Sequence, residues 1–140
     1  MQLPEEELQA LGSVQLRIPA RAEWVAVARL AAAAVGSRMR FSIDEIDDLK
    51  LAIAEACTSC IQRSEGIENI DIRWDAAPGE LRIKVTGDGR SPKLESVKPS
   101  EDSKVGGLGV FLIRALMDEV EYDIEPQRGP RLVMTKRVQS

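Results

Sequence analysis

A capped amphipathic helix constrains this chain more than any other feature. Ser42-Ile43-Asp44-Glu45 has the form of a capping box, in which the Ser42 hydroxyl and the Glu45 carboxylate each satisfy a backbone N–H left free at a helix start. Ile46, Leu49, Ile53, Ala56, Cys57 and Cys60 follow at three- and four-residue steps, so one stripe of a helix running to about Ser64 faces a core, and Gly66 closes it. Such a stripe needs a second layer to bury it, and the rest of the chain supplies one. Val14, Leu16 and Ile18 alternate with Gln15 and Arg17, a strand over 13–18 that stops at Pro19. Residues 67–74 and 80–86 alternate in the same way around Ala-Ala-Pro-Gly and read as a hairpin. A second hairpin, 120–124 with 131–138, surrounds Pro126, Gly129 and Pro130.

Two more helices complete the order β, α, α, ββ, α, ββ. One covers 21–35, with Trp24, Val27, Ala28, Ala31 and Val35 at helical spacing and Gly36 as its stop; the other covers 108–117 and is apolar almost throughout. The predicted fold class is α+β, a two-layer α/β sandwich with a mixed, mostly antiparallel sheet and all helices on one face. A chain of 140 residues, 44% hydrophobic, has room for one core. The expected organisation is an acidic N-terminal arm over 1–12 followed by one domain over 13–140. Within it, the polar stretch from 87 to about 105 is long for a connection and reads as a mobile lid.

The net charge of -4 gives no basic field for gripping nucleic acid or an anionic membrane, which leaves proteins and small molecules as the expected partners. No run approaches the roughly 20 apolar residues of a membrane span, and the acidic start is unlike a secretory signal, so the expected location is cytoplasmic. Cys57 and Cys60 form a C-x-x-C inside an apolar stripe of a chain without histidine. They read as small core residues of a reducing compartment, not as half of a zinc site.

Three places carry candidate chemistry. Gly106, Gly107, Leu108 and Gly109 stand where the lid meets a helix start, where glycines let backbone N–H groups approach a phosphate; a hinge or tight packing is the other reading. Lys104 beside them is either a cation for that phosphate or solvated surface. Glu55 and Ser59, four apart on the central helix, share one face offset from the apolar stripe. They are either a general base and a metal-binding oxygen, or an ordinary helix carboxylate and a serine bonded back to its own turn. Asp88-Gly89, after a strand, can accept a hydrogen bond from a bound base or simply make a turn.

Taken together, Glu55-Ala-Cys-Thr-Ser-Cys-Ile61, Thr86-Gly-Asp-Gly89 and Gly106-Gly-Leu-Gly-Val-Phe-Leu-Ile-Arg-Ala-Leu-Met-Asp-Glu-Val-Glu-Tyr122 resemble the GHKL ATPases, most of all the anti-sigma-factor serine kinases of bacterial partner switching. The likeness spans roughly residues 13–138 in the same order and spacing. It implies a Bergerat-type, histidine-kinase-like sandwich that uses ATP and Mg²⁺. It further implies Glu55 as the base toward a serine of an anti-anti-sigma protein, a glycine-box helix on the ATP phosphates, and a sigma factor as the alternative partner. Pairing into homodimers is common in such families.

The sequence departs from the family pattern at Ser59, where the family has a Mg²⁺-coordinating asparagine. It departs again at Gly87, where the family has the aspartate that reads the adenine amino group, and at Ser91, where it has a further glycine. Two readings follow: an active kinase that doubles as an anti-sigma factor, and a nucleotide-impaired module of the same fold that sequesters a sigma factor or regulator by contact. A sensor histidine kinase would need a dimerisation helix pair that residues 1–12 cannot hold.

Overall fold

The computed structural model describes residues 12–64, 66–89, 107–123 and 131–139. The strands are β1 (Ser13–Pro19), β2 (Asn69–Ala77), β3 (Glu80–Gly87), β4 (Glu119–Asp123) and β5 (Arg131–Arg137), and they form one sheet in the order β1-β2-β3-β5-β4. The helices are α1 (Val25–Ser37), entered through a 3-10 turn at Ala22–Trp24, α2 (Ile43–Arg63) and α3 (Gly107–Leu116). The arm, from 1 to 11, and the lid stretch from 90 to 106 lie outside the described residues.

All four strand pairings are antiparallel, in place of the mixed sheet expected. The reason is topological. The crossover through α3 carries the chain past one sheet position, so β4 lands at the edge and β5 fills the gap beside β3. The β2–β3 turn is tight: Pro78 presets its own φ, and Gly79 takes a φ of 74°, the conformation of a type II turn. β2 starts at Asn69 instead of Ile67, with consequences for Ile67 described below.

One face of the sheet is apolar and the other is charged. Ile70, Ile72, Trp74, Leu81, Ile83, Val85, Leu132 and Met134 are buried beneath the helices. Arg17 and Asp71 pair across the opposite face at 2.7 Å, with Arg73 and Asp75 beside them at 2.9 Å. Exposed pairs of this kind add little stability and keep the uncovered face wet.

The capping box of α2 forms as predicted. Ser42 N donates to Glu45 Oε1 at 2.8 Å and Glu45 N donates to Ser42 Oγ at 3.1 Å. Behind it Leu49, Ala52, Ile53, Ala56, Cys57 and Cys60 are buried. Both cysteines are free thiols, and burial pushes each up to about 12, which suits core residues and not a redox pair.

Of the α1 residues read in the sequence, Ala28, Ala31 and Val35 pack on the core, and Trp24 and Val27 do not. Val25, Ala28, Ala32 and Gly36 face the core, whereas Trp24 (44% exposed), Val27 (37%) and Leu30 (70%) face outward. With alanines on every side the pattern carries little phase information, and the 3-10 turn sets the helix start at Val25. Gly36 is a contact point instead of a stop: a Cβ there would stand 3.0 Å from Leu49 Cδ1 and 3.3 Å from Ile46 Cγ1. The chain reverses three residues after the helix, where Arg40 adopts a φ of 63°.

Two polar clamps hold the open ends. Lys136 Nζ donates to Leu116 O at 2.7 Å and lies 3.7 Å from Asp48, so its buried charge meets the negative end of α3 and a carboxylate of α2. The Asp88 carboxylate accepts from Glu68 N at 2.8 Å, Asn69 N at 2.9 Å and Asn69 Nδ2 at 3.0 Å, tying the end of β3 to the start of β2. Desolvation pushes the Asp88 carboxyl up, and the hydrogen bonds from Asn69 and Glu68 more than offset it, leaving it below the usual carboxylate range.

Substituting Gly36→Val forces Leu49 and Ile46 aside and is expected to destabilise the protein by about 1–3 kcal/mol in urea unfolding; unchanged stability would mean that α1 and α2 do not touch there. The lowered carboxyl of Asp88 stabilises the fold fully above the ordinary carboxylate range, and that contribution fades as pH falls through the lowered value. Asp88→Asn is therefore expected to be less stable than the parent at pH 7 and to approach it only as pH falls below the lowered carboxyl value, the side on which both side chains are uncharged. A gap independent of pH would show that the charge of Asp88 is not involved.

Candidate functional site

The buried stripe of α2 fixes its rotation, and with it the direction of the offset face that carries Glu55 and Ser59. Helix α3 packs beside that face. A Cβ on Gly109 would lie 3.4 Å from Glu55 Oε2, an ordinary van der Waals contact, which places the carboxylate directly against the glycine-rich helix start. Four residues on, the Ser59 side chain is 9% exposed and its Oγ is buried without a hydrogen-bond partner. A buried hydroxyl left unmet costs about 1–3 kcal/mol. It does not bond back to its own turn, which removes one of its two sequence readings.

The start of α3 supplies the anion-facing element. Its first helical residues are Gly107, Leu108 and Gly109, and the leading N–H groups of a helix have no intrahelical acceptor. Gly106 and Lys104 lie outside the described residues. The structure thus brings Glu55, Ser59 and Gly109 to one region of α2 and α3. Among the described residues no group of three His, Cys, Asp or Glu side chains forms a metal site. Mg²⁺ typically takes one or two protein oxygens, several waters and the substrate phosphates, and the unpartnered Ser59 hydroxyl is an oxygen that fits that pattern.

At the other end of α2 the arrangement differs. A Cβ on Gly87 would stand 2.7 Å from Ile67 Cδ1 and 3.8 Å from Ser64 Oγ, itself buried and unpartnered. Asp88, the alternative base-reading carboxylate, is occupied by the backbone of Glu68 and Asn69, and Gly89 is buried beside it. The start of α3 beside Glu55 can face an anion, and position 87 carries no carboxylate. Ser64 and Ile67 escaped the sequence reading for a physical reason. Ile67 is out of phase with the inward set Ile70, Ile72 and Trp74, and Ser64 is a helix C-cap of no unusual type.

Comparison with known proteins agrees with this geometry. The family model described as histidine kinase-like ATPase domain matches residues 18–136. Relatives named serine-protein kinase RsbW from Bacillus thuringiensis (strain Al Hakam), Bacillus cereus (strain AH820) and Bacillus anthracis are each 35% identical over 144 aligned positions, covering 94% of this chain and 89% of theirs. The histidine kinase domain of a blue-light activated kinase from Erythrobacter litoralis superposes with a TM-score of 0.53 at 17% identity, over 86% of this chain and 62% of that one. That likeness bears on the fold alone. With the glycine-rich helix start beside Glu55, the match of fold and the similarity along nearly the whole chain, this protein belongs to the histidine kinase-like ATPase domain family, in the branch that holds the serine-protein kinases RsbW.

Proposed function

We propose that this chain is a serine-protein kinase and anti-sigma factor of a bacterial partner-switching system, acting in the cytoplasm on stress-response transcription. Its two partners are a sigma factor, which it sequesters, and an anti-anti-sigma protein, which it phosphorylates on serine. The observation that carries this reading is the approach of Glu55 Oε2 to within 3.4 Å of the Cβ position of Gly109. It sets a carboxylate at the mouth of a helix start built for phosphate.

Bound ATP supplies the transferable phosphoryl group, and Mg²⁺ offsets its charge. Glu55 orients the incoming serine hydroxyl and takes its proton as the serine oxygen bonds to the γ-phosphorus, while the bond from that phosphorus to the β–γ bridging oxygen breaks and ADP leaves with its electron pair. The N–H groups at the start of α3 face the phosphate oxygens, with Glu55 against Gly109 beside them. The Ser59 hydroxyl, buried and unmet, offers the metal one oxygen. For the protein partners, the outward apolar residues of α1, Trp24, Val27 and Leu30, and Arg114 on α3 provide candidate contacts, as they also do for a homodimer. No helix among the described residues is long and apolar enough to cross a membrane.

A second reading, a nucleotide-impaired module that sequesters its partner by contact, is favoured by one observation: Ile67 occupies the space at Gly87. Calorimetric titration separates the two. Binding of ATP at or below millimolar concentration with Mg²⁺ supports the kinase, and no binding of ATP or ADP leaves only the module. In a binding-competent protein, Glu55→Gln is expected to lower phosphate transfer to the antagonist serine by about 10²-fold or more, read by mass spectrometry, with ATP affinity changed only a few-fold. Transfer at the parental rate would show that Glu55 is not the base.

A further inference from the structure

We infer that the nucleotide site reads the triphosphate and not the base, so that guanosine and adenosine triphosphates bind with similar strength. The inference deepens the kinase reading and rests on it for the place of the phosphates. From Glu55 to Ser64 the chain advances nine residues, about 13 Å along a helix axis, a span suited to a nucleoside triphosphate. With the phosphates at Gly109, and with Gly87 at the position where the resembling family carries its base-reading aspartate, the base is assigned to the end formed by Ser64, Ile67 and Gly87.

Three observations describe that end. Gly87 has no side chain, and the space its Cβ would take is closed by Ile67 Cδ1 at 2.7 Å, so position 87 offers the base an apolar contact and no hydrogen-bonding group. The carboxylate next in the chain, Asp88, already accepts three hydrogen bonds from Glu68 and Asn69; turning it toward a ligand would strand two backbone N–H groups. The Ser64 hydroxyl, 3.8 Å from the same Cβ position, is buried and has no partner.

A carboxylate only accepts, so it selects the amino group of adenine against the carbonyl oxygen of guanine. A hydroxyl rotates and both donates and accepts, so it meets either base edge. A site built around a fixed acceptor rejects the wrong partner by about 10⁴-fold or more. One built from an isoleucine tip and a rotating hydroxyl has no such lever.

The test is calorimetric titration of the full-length chain with ATP, GTP and inorganic triphosphate, each with Mg²⁺. ATP and GTP dissociation constants within ten-fold of each other are expected; a larger preference for ATP would overturn the inference while leaving the kinase reading intact. Failure of all three ligands to bind would overturn both. The double substitution Ile67→Ala/Gly87→Asp makes room for a carboxylate and supplies it. It is expected to raise the ATP-over-GTP ratio by ten-fold or more. An unchanged ratio in a folded, ATP-binding variant would place base recognition elsewhere and overturn the inference.

Discussion

Burial of the Leu49, Ala52, Ile53, Ala56, Cys57 and Cys60 stripe is the constraint on which the remaining structure turns. Each large side chain removed from water there contributes roughly 1.5–3 kcal/mol, and the stripe can meet the sheet in only one rotation of α2. That rotation puts Glu55 and Ser59 on the flank facing α3. The polar pair is held by apolar packing on the far side of its own helix and needs no network of its own. Gly36 serves the same end from α1, since its missing side chain lets Leu49 and Ile46 seat closely.

The partner element, α3, is held at its far end. Lys136 on β5 meets the terminal carbonyl at Leu116 and the Asp48 carboxylate, joining sheet, α2 and α3 through one buried cation. The glycine-rich start of α3 is thus anchored from behind, at a distance from the chemistry it serves. Asp88 plays the equivalent part for the sheet, closing β3 onto β2 with three hydrogen bonds. A residue that the sequence offers as a ligand for a base is a structural clamp, and Ile67 closes the space beside Gly87.

Much of this is legible in the sequence because it rests on periodic burial. The capping box at Ser42 and Glu45, the α2 stripe, both hairpins and the core placement of Cys57 and Cys60 follow from spacing and residue type alone. The phase of α1 does not, because alanine on all faces gives no preferred side, and the outward Trp24 and Val27 belong to a surface the pattern assigned inward. The all-antiparallel sheet depends on where the α3 crossover lands, which no local pattern encodes. At the site, the closeness of Glu55 and Gly109 was foreshadowed by the family motifs. The contact of Ile67 with Gly87 joins a loop residue before β2 to the last residue of β3 and leaves no mark on either.

We propose that α2 and the start of α3 together form a phosphate site, with Glu55, Ser59 and Gly109 at its centre. Backbone amide resonances of the 140-residue chain, followed by NMR as Mg²⁺ and ATP are added, test it most directly. The largest shifts are expected at Glu55 to Ser59 and Gly107 to Gly109, with little change along the outward face of α1 or the charged face of the sheet. Shifts concentrated on either of those faces, with α2 and α3 silent, would contradict it.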